Sequence, residues 1–235
     1  MDDADSGPAA GTAERLARVR ATIVEAARRA GRDPAGITLV AVSKTRGPDE
    51  IRAAFAAGQL DFGENYAQEL AAKRAALADL PGLRWHMIGH LQRNKIKLVV
   101  PGLHALQTVD SLRLIDALDR RLAEHDGRLD VLVQVDVAGE QQKDGAAPDE
   151  LPALVDGLRS RPRLRLRGLM AIPPWSVDGE GSRPYFRALR ELAGRLGLAA
   201  HERELSMGMS DSYAVAVEEG ATLVRVGTAI FGPRD

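Results

Sequence analysis

The feature that most constrains the fold is an alternation, repeated eight times, of a short β-forming run and a longer run with helical spacing. Runs such as VLVQVDV and RGLMAI are continuously apolar, which is typical of parallel strands covered by helices on both faces. The predicted strands are 37–44, 60–63, 83–89, 104–109, 129–137, 164–171, 203–207 and 222–227. The predicted helices between them are 48–57, 65–78, 92–99, 111–125, 149–159, 182–196 and 211–219.

The number and spacing of these elements predict an α/β fold, a single (β/α)8 TIM barrel. The 235 residues fit such barrels, which typically have about 250 residues. An open doubly wound sheet is the alternative, because the pattern alone does not give strand order. An extra N-terminal helix, with Thr12 as its N-cap and Gly31 at its end, is predicted to complete the outer ring. Residues 1–11 are small and acidic and predict a disordered tail, which leaves residues 12–235 as one domain.

Composition excludes several classes of function. Lysine and arginine total 32 against 33 aspartate and glutamate, so the chain has no overall field to attract nucleic acid or an anionic membrane. There is no cysteine, which excludes disulfides, a thiolate nucleophile and cysteine-ligated zinc. No signal-like segment opens the chain, and no apolar run approaches the roughly 20 residues that span a bilayer. We therefore predict a cytoplasmic protein.

Two histidines, His86 and His90, have a spacing that can bind zinc when both lie on one helix. Here they belong to the predicted strand RWHMIGH and its end, so they do not share a helical face. We predict no metal site.

Polar and glycine residues gather after the last two predicted strands. Ser206, Gly208 and Ser210 follow the seventh strand, and Gly227 and Thr228 follow the eighth. The loops after strands seven and eight commonly hold phosphate in TIM barrels, and glycine lets backbone N–H groups approach a ligand closely. The pattern favours a site for one phosphate monoester, while ordinary tight turns remain the alternative.

Lys44 ends the first predicted strand, ITLVAVSK, and Arg225 lies within the last. A lysine in a partly apolar pocket can lose its proton and react with a carbonyl. A pyridoxal phosphate site combines three elements. They are a lysine, a phosphate-binding site and an arginine that faces the ring nitrogen. A salt-bridged surface lysine and a structural ion pair for the arginine remain the alternatives at this point.

Five stretches resemble one known family, the pyridoxal phosphate homeostasis proteins, which are single-domain relatives of the alanine racemase N-terminal barrel. They span residues 16–232 in order and are LVAVSKTR, FGENYAQE, WHMIGHLQRNK, GLMAIPP and LSMGMSDSYAVAVEEGATLVRVGTAIFG. The resemblance implies an alanine racemase-like TIM barrel with pyridoxal 5'-phosphate as cofactor. It implies a Schiff base, an internal aldimine, at Lys44.

The resemblance also implies the other cofactor contacts. Asn65 would line the ring, Arg225 would face the pyridine nitrogen, and Ser206, Gly227 and Thr228 would hold the phosphate. The complete predicted set of cofactor-binding residues is Lys44, Asn65, His86, Ser206, Met207, Gly208, Arg225, Gly227 and Thr228.

One departure concerns Asp136, where the family has asparagine, and it affects the 136–145 loop. Lys143 in this loop is the first alternative carrier of the cofactor.

The implied function is to bind, store and release pyridoxal phosphate, with effects on amino- and keto-acid metabolism and without established catalytic turnover. The charged Arg225 would disfavour a protonated ring nitrogen and so weaken the cofactor as an electron sink. The chain ends at Asp235, so the second domain of the racemases is not expected, and a monomer is predicted. Apoenzymes that use the cofactor are the expected partners. A racemase-type enzyme and a lyase using Lys44 without cofactor are the alternatives.

Overall fold

A computed structural model describes residues 8–139, 144–174 and 178–233. Within these residues eight parallel strands close into a barrel in sequence order, which confirms the predicted barrel and excludes the open sheet. The strands are β1 Thr38–Val42, β2 Asp61–Glu64, β3 Arg84–Met87, β4 Leu103–Val109, β5 Leu129–Gln134, β6 Leu164–Met170, β7 Glu204–Ser206 and β8 Leu223–Val226. Closure pairs β8 with β1 and sets Arg225 beside Val40.

Helices cover the outside of the barrel. In the described ranges they are α1 Pro8–Arg29, α2 Pro48–Ala56, α3 Ala67–Ala76, α4 Ile96–Val99, α5 Leu112–Ala123, α6 Leu151–Arg159, α7 Arg183–Arg195, α8 Tyr213–Glu218 and α9 Thr228–Phe231. None of these described helices combines the length and the apolar character that a membrane crossing requires.

The first helix fills the outer ring, as predicted, by packing against α2, α8 and α9. It begins at Pro8, so Thr12 lies inside the helix and the predicted N-cap at Thr12 is wrong. Residues 8–11 of the predicted tail are therefore helical, and residues 1–7 lie outside the described residues. At the other end Gly31 has a φ of 66°, the left-handed conformation that ends helices.

The helix α5 illustrates how the sequence forms this outer layer. Ser111 caps it by accepting a hydrogen bond from the Leu114 N–H, and its apolar residues recur at helical spacing. The buried ones are Leu114, Ile115, Leu118 and Leu122. Burying each such side chain contributes about 1.5–3 kcal/mol to folding, which fixes the helix against the barrel wall.

Candidate functional site

A cavity of about 480 Å³ opens at the carboxyl ends of the strands, within the usual size range of small-molecule sites. Residues from the first and last strands meet there because β1 and β8 are neighbours in the closed barrel. Its polar lining consists of Lys44, Asn65, Ser210, Asp211, Arg225 and Thr228, joined by Gly227, and its apolar lining consists of Val42, Ile88, Ile172 and Met209.

Lys44 lies in the turn after β1, because the strand ends at Val42 and not at residue 44 as predicted. Its side chain is partly buried. The next residue, Thr45, has a φ of 65°, a left-handed conformation that costs a β-branched residue on the order of 1–3 kcal/mol. The Thr45 N–H donates to Glu69 Oε1 at 2.5 Å. A tertiary contact therefore holds the turn that carries Lys44.

Asn65 follows β2 and brings unused hydrogen-bonding capacity to the cavity. Its Oδ1 is buried and accepts no hydrogen bond from any described residue, and such an atom costs about 1–3 kcal/mol. Gly89 packs directly on this position, since a Cβ on Gly89 would lie 2.2 Å from the Asn65 carbonyl oxygen. The site therefore holds a polar atom that a ligand can satisfy.

Backbone donors gather on the opposite wall, around Ser210. The N–H groups of Gly227 and Ala229 donate to Ser210 Oγ at 3.1 and 3.3 Å, and Thr228 lies between them in the chain and lines the cavity. Clustered N–H and hydroxyl donors are typical of phosphate sites. This arrangement fits the predicted site for a phosphate monoester, with Ser210 as the serine beside the phosphate.

Arg225 is buried, with 3% of its surface exposed. Its Nη1 donates to Ser206 Oγ at 2.6 Å and its Nη2 to the Ala171 carbonyl at 2.9 Å, and no described carboxylate pairs with it. Burial lowers the pKa of Arg225 to about 10, so the guanidinium stays charged at neutral pH. The cavity thus contains a buried cation that lacks an anionic partner among the described residues.

Three residues of the predicted cofactor-binding set do not line this cavity. Ser206 ends β7 and points into the barrel, where its hydroxyl accepts from Arg225 and donates to Gln107. Met207 is fully buried in the core. Gly208 has a φ of 91°, and a Cβ there would lie 2.5 Å from the Ala216 Cβ, so it forms the tight turn that brings Met209 and Ser210 to the cavity.

Among the described residues, Met209, Ser210 and Asp211 line the cavity, and Ser206, Met207 and Gly208 do not. The sequence pattern named both serines as hydroxyl donors and did not distinguish between them.

His86 also lies elsewhere than predicted, because it faces the amino end of the barrel. It belongs to a chain of hydrogen bonds along the barrel interior. Arginine can only donate, so Ser206 accepts from Arg225 and donates to Gln107 Oε1 at 2.6 Å. The Gln107 amide then donates to His86 Nδ1, which leaves the ring proton on Nε2 to be donated to Asp61, both at 3.0 Å.

This histidine is part of a cluster at a second cavity, of about 630 Å³, at the amino ends of the strands. Potential metal ligands of Asp61, His86 and His104 lie within 4.8 Å of one another. Arg84, however, makes two hydrogen bonds to the Asp61 carboxylate at 2.5 and 2.7 Å, and His86 Nε2 carries the proton it donates there. Burial lowers the pKa of His104. The Arg84 guanidinium and the ring proton of His86 thus occupy the positions that a metal ion would need.

Asp136, the departure from the family pattern, closes the turn after β5. Its Oδ1 accepts hydrogen bonds from the N–H groups of Ala138 and Gly139 at 3.0 and 2.9 Å, which an asparagine side chain can equally do. Lys143, the alternative carrier, lies outside the described residues.

Comparison with known proteins gives the family of this chain. Residues 15–235 match the family model described as the alanine racemase N-terminal domain. The chain is 48% identical to the pyridoxal phosphate homeostasis protein of Pseudomonas aeruginosa, over 95% of this chain and 96% of that protein. It is 40% identical to the human protein of the same name, over 94% and 86%.

A solved structure of PipY from Synechococcus elongatus, with pyridoxal phosphate bound, superposes with a TM-score of 0.82 and 38% identity. The match covers 94% of this chain and 100% of that one. Since relatives above 30% identity are matched over nearly their whole length, this chain belongs to the pyridoxal phosphate homeostasis family, within the alanine racemase N-terminal domain family.

Proposed function

We propose that this chain binds pyridoxal phosphate at the carboxyl-end cavity and stores and releases it. The observation that carries the proposal is the joint lining of one cavity by Lys44 and Arg225. When bound, pyridoxal phosphate supplies an aldehyde that condenses reversibly with a primary amine, with loss of one water. The Asn65 Oδ1 supports the fit because no described residue donates to it. The N–H donors around Ser210 support it because a phosphate could replace Ser210 Oγ as their acceptor.

Each residue has a distinct part in this proposal. Lys44 provides the amine. Ser210, Gly227 and Thr228 hold the phosphate, which needs Ser210 to exchange its two backbone donors for the ligand. Arg225 directs a charged N–H toward the ring nitrogen and, since arginine cannot act as an acceptor, keeps that nitrogen unprotonated.

Turnover is not part of the proposal. Two-base racemisation needs a second acid or base on the opposite face of the substrate, and no tyrosine of the described residues lines the cavity. A one-base racemase remains the alternative. Incubation with amino acids in deuterated water tests this point. Exchange of the α-proton at useful rates would favour the racemase-type alternative.

The decisive experiment is borohydride trapping. Purified protein is incubated with pyridoxal phosphate, reduced and digested, and the modified peptide is identified by mass spectrometry. We expect the label on Lys44, complete loss of the label in Lys44→Ala, and an unchanged label in Lys97→Ala, where Lys97 is an exposed lysine of α4.

A wild-type protein without any reducible adduct would refute the proposal. An adduct that persists in Lys44→Ala would move the carrier role to another lysine, with Lys143 examined first. Weak binding that remains in Lys44→Ala is expected from the phosphate contacts.

The finer parts of the proposal are that the protein acts in the cytoplasm as a monomer and passes the cofactor to apoenzymes. Their support is indirect: a nearly neutral chain and a reversible covalent bond suited to handover. Sedimentation tests whether the protein is a monomer. Activation of a pyridoxal phosphate-dependent apoenzyme by the loaded protein, compared with the free cofactor, tests the transfer.

A further inference from the structure

A buried ion cluster lies directly beneath the turn that carries Lys44. Glu64 ends β2 and is fully buried, and Lys73 of α3 is 6% exposed. The Lys73 ammonium donates to Glu64 Oε1 at 2.8 Å and to Glu69 Oε1 at 2.7 Å. A buried pair of opposite charges is seldom a source of net stability, so its position calls for another explanation.

The cluster makes hydrogen bonds to the backbone on both sides of Lys44. On one side Lys73 donates to the Ser43 carbonyl at 2.5 Å, and the Ser43 hydroxyl donates to Glu64 Oε1 at 2.6 Å. On the other side the Thr45 N–H donates to Glu69 Oε1 at 2.5 Å. The peptide groups before and after Lys44 are therefore both fixed by the same cluster, and Thr45 is kept in its left-handed conformation.

The ammonium of Lys73 is fully used. It has three hydrogens, and three oxygens accept them, those of Ser43, Glu64 and Glu69. Burial raises the pKa of Glu64 against the opposing effect of Lys73 and Ser43, so the carboxylate depends on this lysine for its charge. Lys73 consequently serves as a fixed cation and offers no free amine for a carbonyl.

We infer that Lys73, with Glu64 and Glu69, is a positioning residue that holds the Lys44 amine at the reacting distance from the aldehyde of pyridoxal phosphate. The inference rests on the proposed function. Misplacement of a reacting group by about 1 Å costs up to a hundredfold in rate, and the turn at Lys44 has no regular secondary structure of its own to prevent it.

The test uses Lys73→Met, which removes the charge and keeps the length of the side chain, with the exposed Lys97→Met as matched control. Since Lys73→Met leaves Glu64 buried without its cation, the double variant Glu64→Gln/Lys73→Met removes both charges of the pair, and we expect it to fold. The first measurement is the rate of adduct formation at Lys44 with saturating pyridoxal phosphate. We expect a fall of about tenfold or more in both Lys73 variants, with little change in the half-saturating concentration.

The second measurement needs no cofactor. Amide hydrogen exchange at Thr45, followed by NMR, should be slow in the wild type and in Lys97→Met and faster in Lys73→Met and Glu69→Gln. A folded double variant with wild-type adduct rate and wild-type Thr45 exchange would overturn the inference. If the wild type forms no adduct, the proposed function fails, and Thr45 exchange still decides whether the cluster holds the turn.

Discussion

The two ends of the barrel carry cavities that use charge in opposite ways. The cavity at the amino end, about 630 Å³, is lined by three arginine–carboxylate pairs: Arg84–Asp61, Arg165–Asp130 and Arg167–Glu204. At the carboxyl end, in about 480 Å³, the buried Arg225 has no carboxylate partner among the described residues. There Asn65 Oδ1 accepts no hydrogen bond from a described residue.

The difference shows that the size of a cavity and its number of charges are poor guides to function. Paired charges lose little when a cavity stays empty, whereas an unpaired buried group has a standing free-energy cost that a ligand can relieve. We therefore propose the smaller cavity as the functional one. Three variants test this contrast at single residues.

The largest expected effect is a loss of folding stability at acid pH, caused by protonation of Asp61 at the amino end. Burial alone would raise the pKa of Asp61, but hydrogen bonds from Arg84 and His86 outweigh it and lower the pKa from 3.8 to about 2. A carboxyl with a lowered folded pKa stabilises the protein above its unfolded pKa and loses this contribution as pH falls. We expect about 2 kcal/mol to be lost between about pH 4 and pH 2.

The measurement is denaturant unfolding as a function of pH. Asp61→Asn should flatten the curve below about pH 4, while the exposed Asp149→Asn should leave it unchanged. Equal pH dependence in the wild type and Asp61→Asn would show that the pair does not stabilise the amino end. Binding of pyridoxal phosphate at neutral pH should be affected by neither variant.

Asn65→Leu tests the unpaired atom at the carboxyl end and should produce two effects of opposite sign. Because it removes a buried acceptor without a described partner, it should stabilise the empty protein by about 1 kcal/mol. It should also weaken pyridoxal phosphate binding. Thermal unfolding and cofactor titration measure the two effects, with the exposed Asn94→Leu as control; a loss of stability together with unchanged binding would remove Asn65 from the site.

The smallest effect is expected for Arg165→Gln. The Arg165 side chain is 56% exposed, and its Nε lies 2.5 Å from Asp130 Oδ1. Exposed pairs contribute about 0.2–1 kcal/mol and are screened by salt. Unfolding at low and high ionic strength should show a loss below about 1 kcal/mol that shrinks with salt, and a larger loss would mean that the amino end depends on this pair more than its exposure indicates.

The barrel itself was predictable from the sequence, because each strand and helix follows from local periodicity. All eight predicted strands occur within a few residues of their expected ends. The placement of Lys44, Asn65, Arg225, Gly227 and Thr228 around one cavity followed from the rule that carboxyl ends of barrel strands share a face. The pattern did not indicate which serine faces the cavity, since a turn at Gly208 with positive φ decides it.

The sequence by itself determined the alternation of elements, the resemblance to the family and the position of Lys44 just after the first strand. Only the tertiary structure decided which residues are hydrogen-bond and ion-pair partners of one another. Lys73 meets the Ser43 carbonyl across 30 positions of sequence, and Gln107 meets Ser206 across 99. Such contacts are absent from local patterns because hydrogen bonds and ion pairs depend on distances of about 3 Å in space, which closure of the barrel sets.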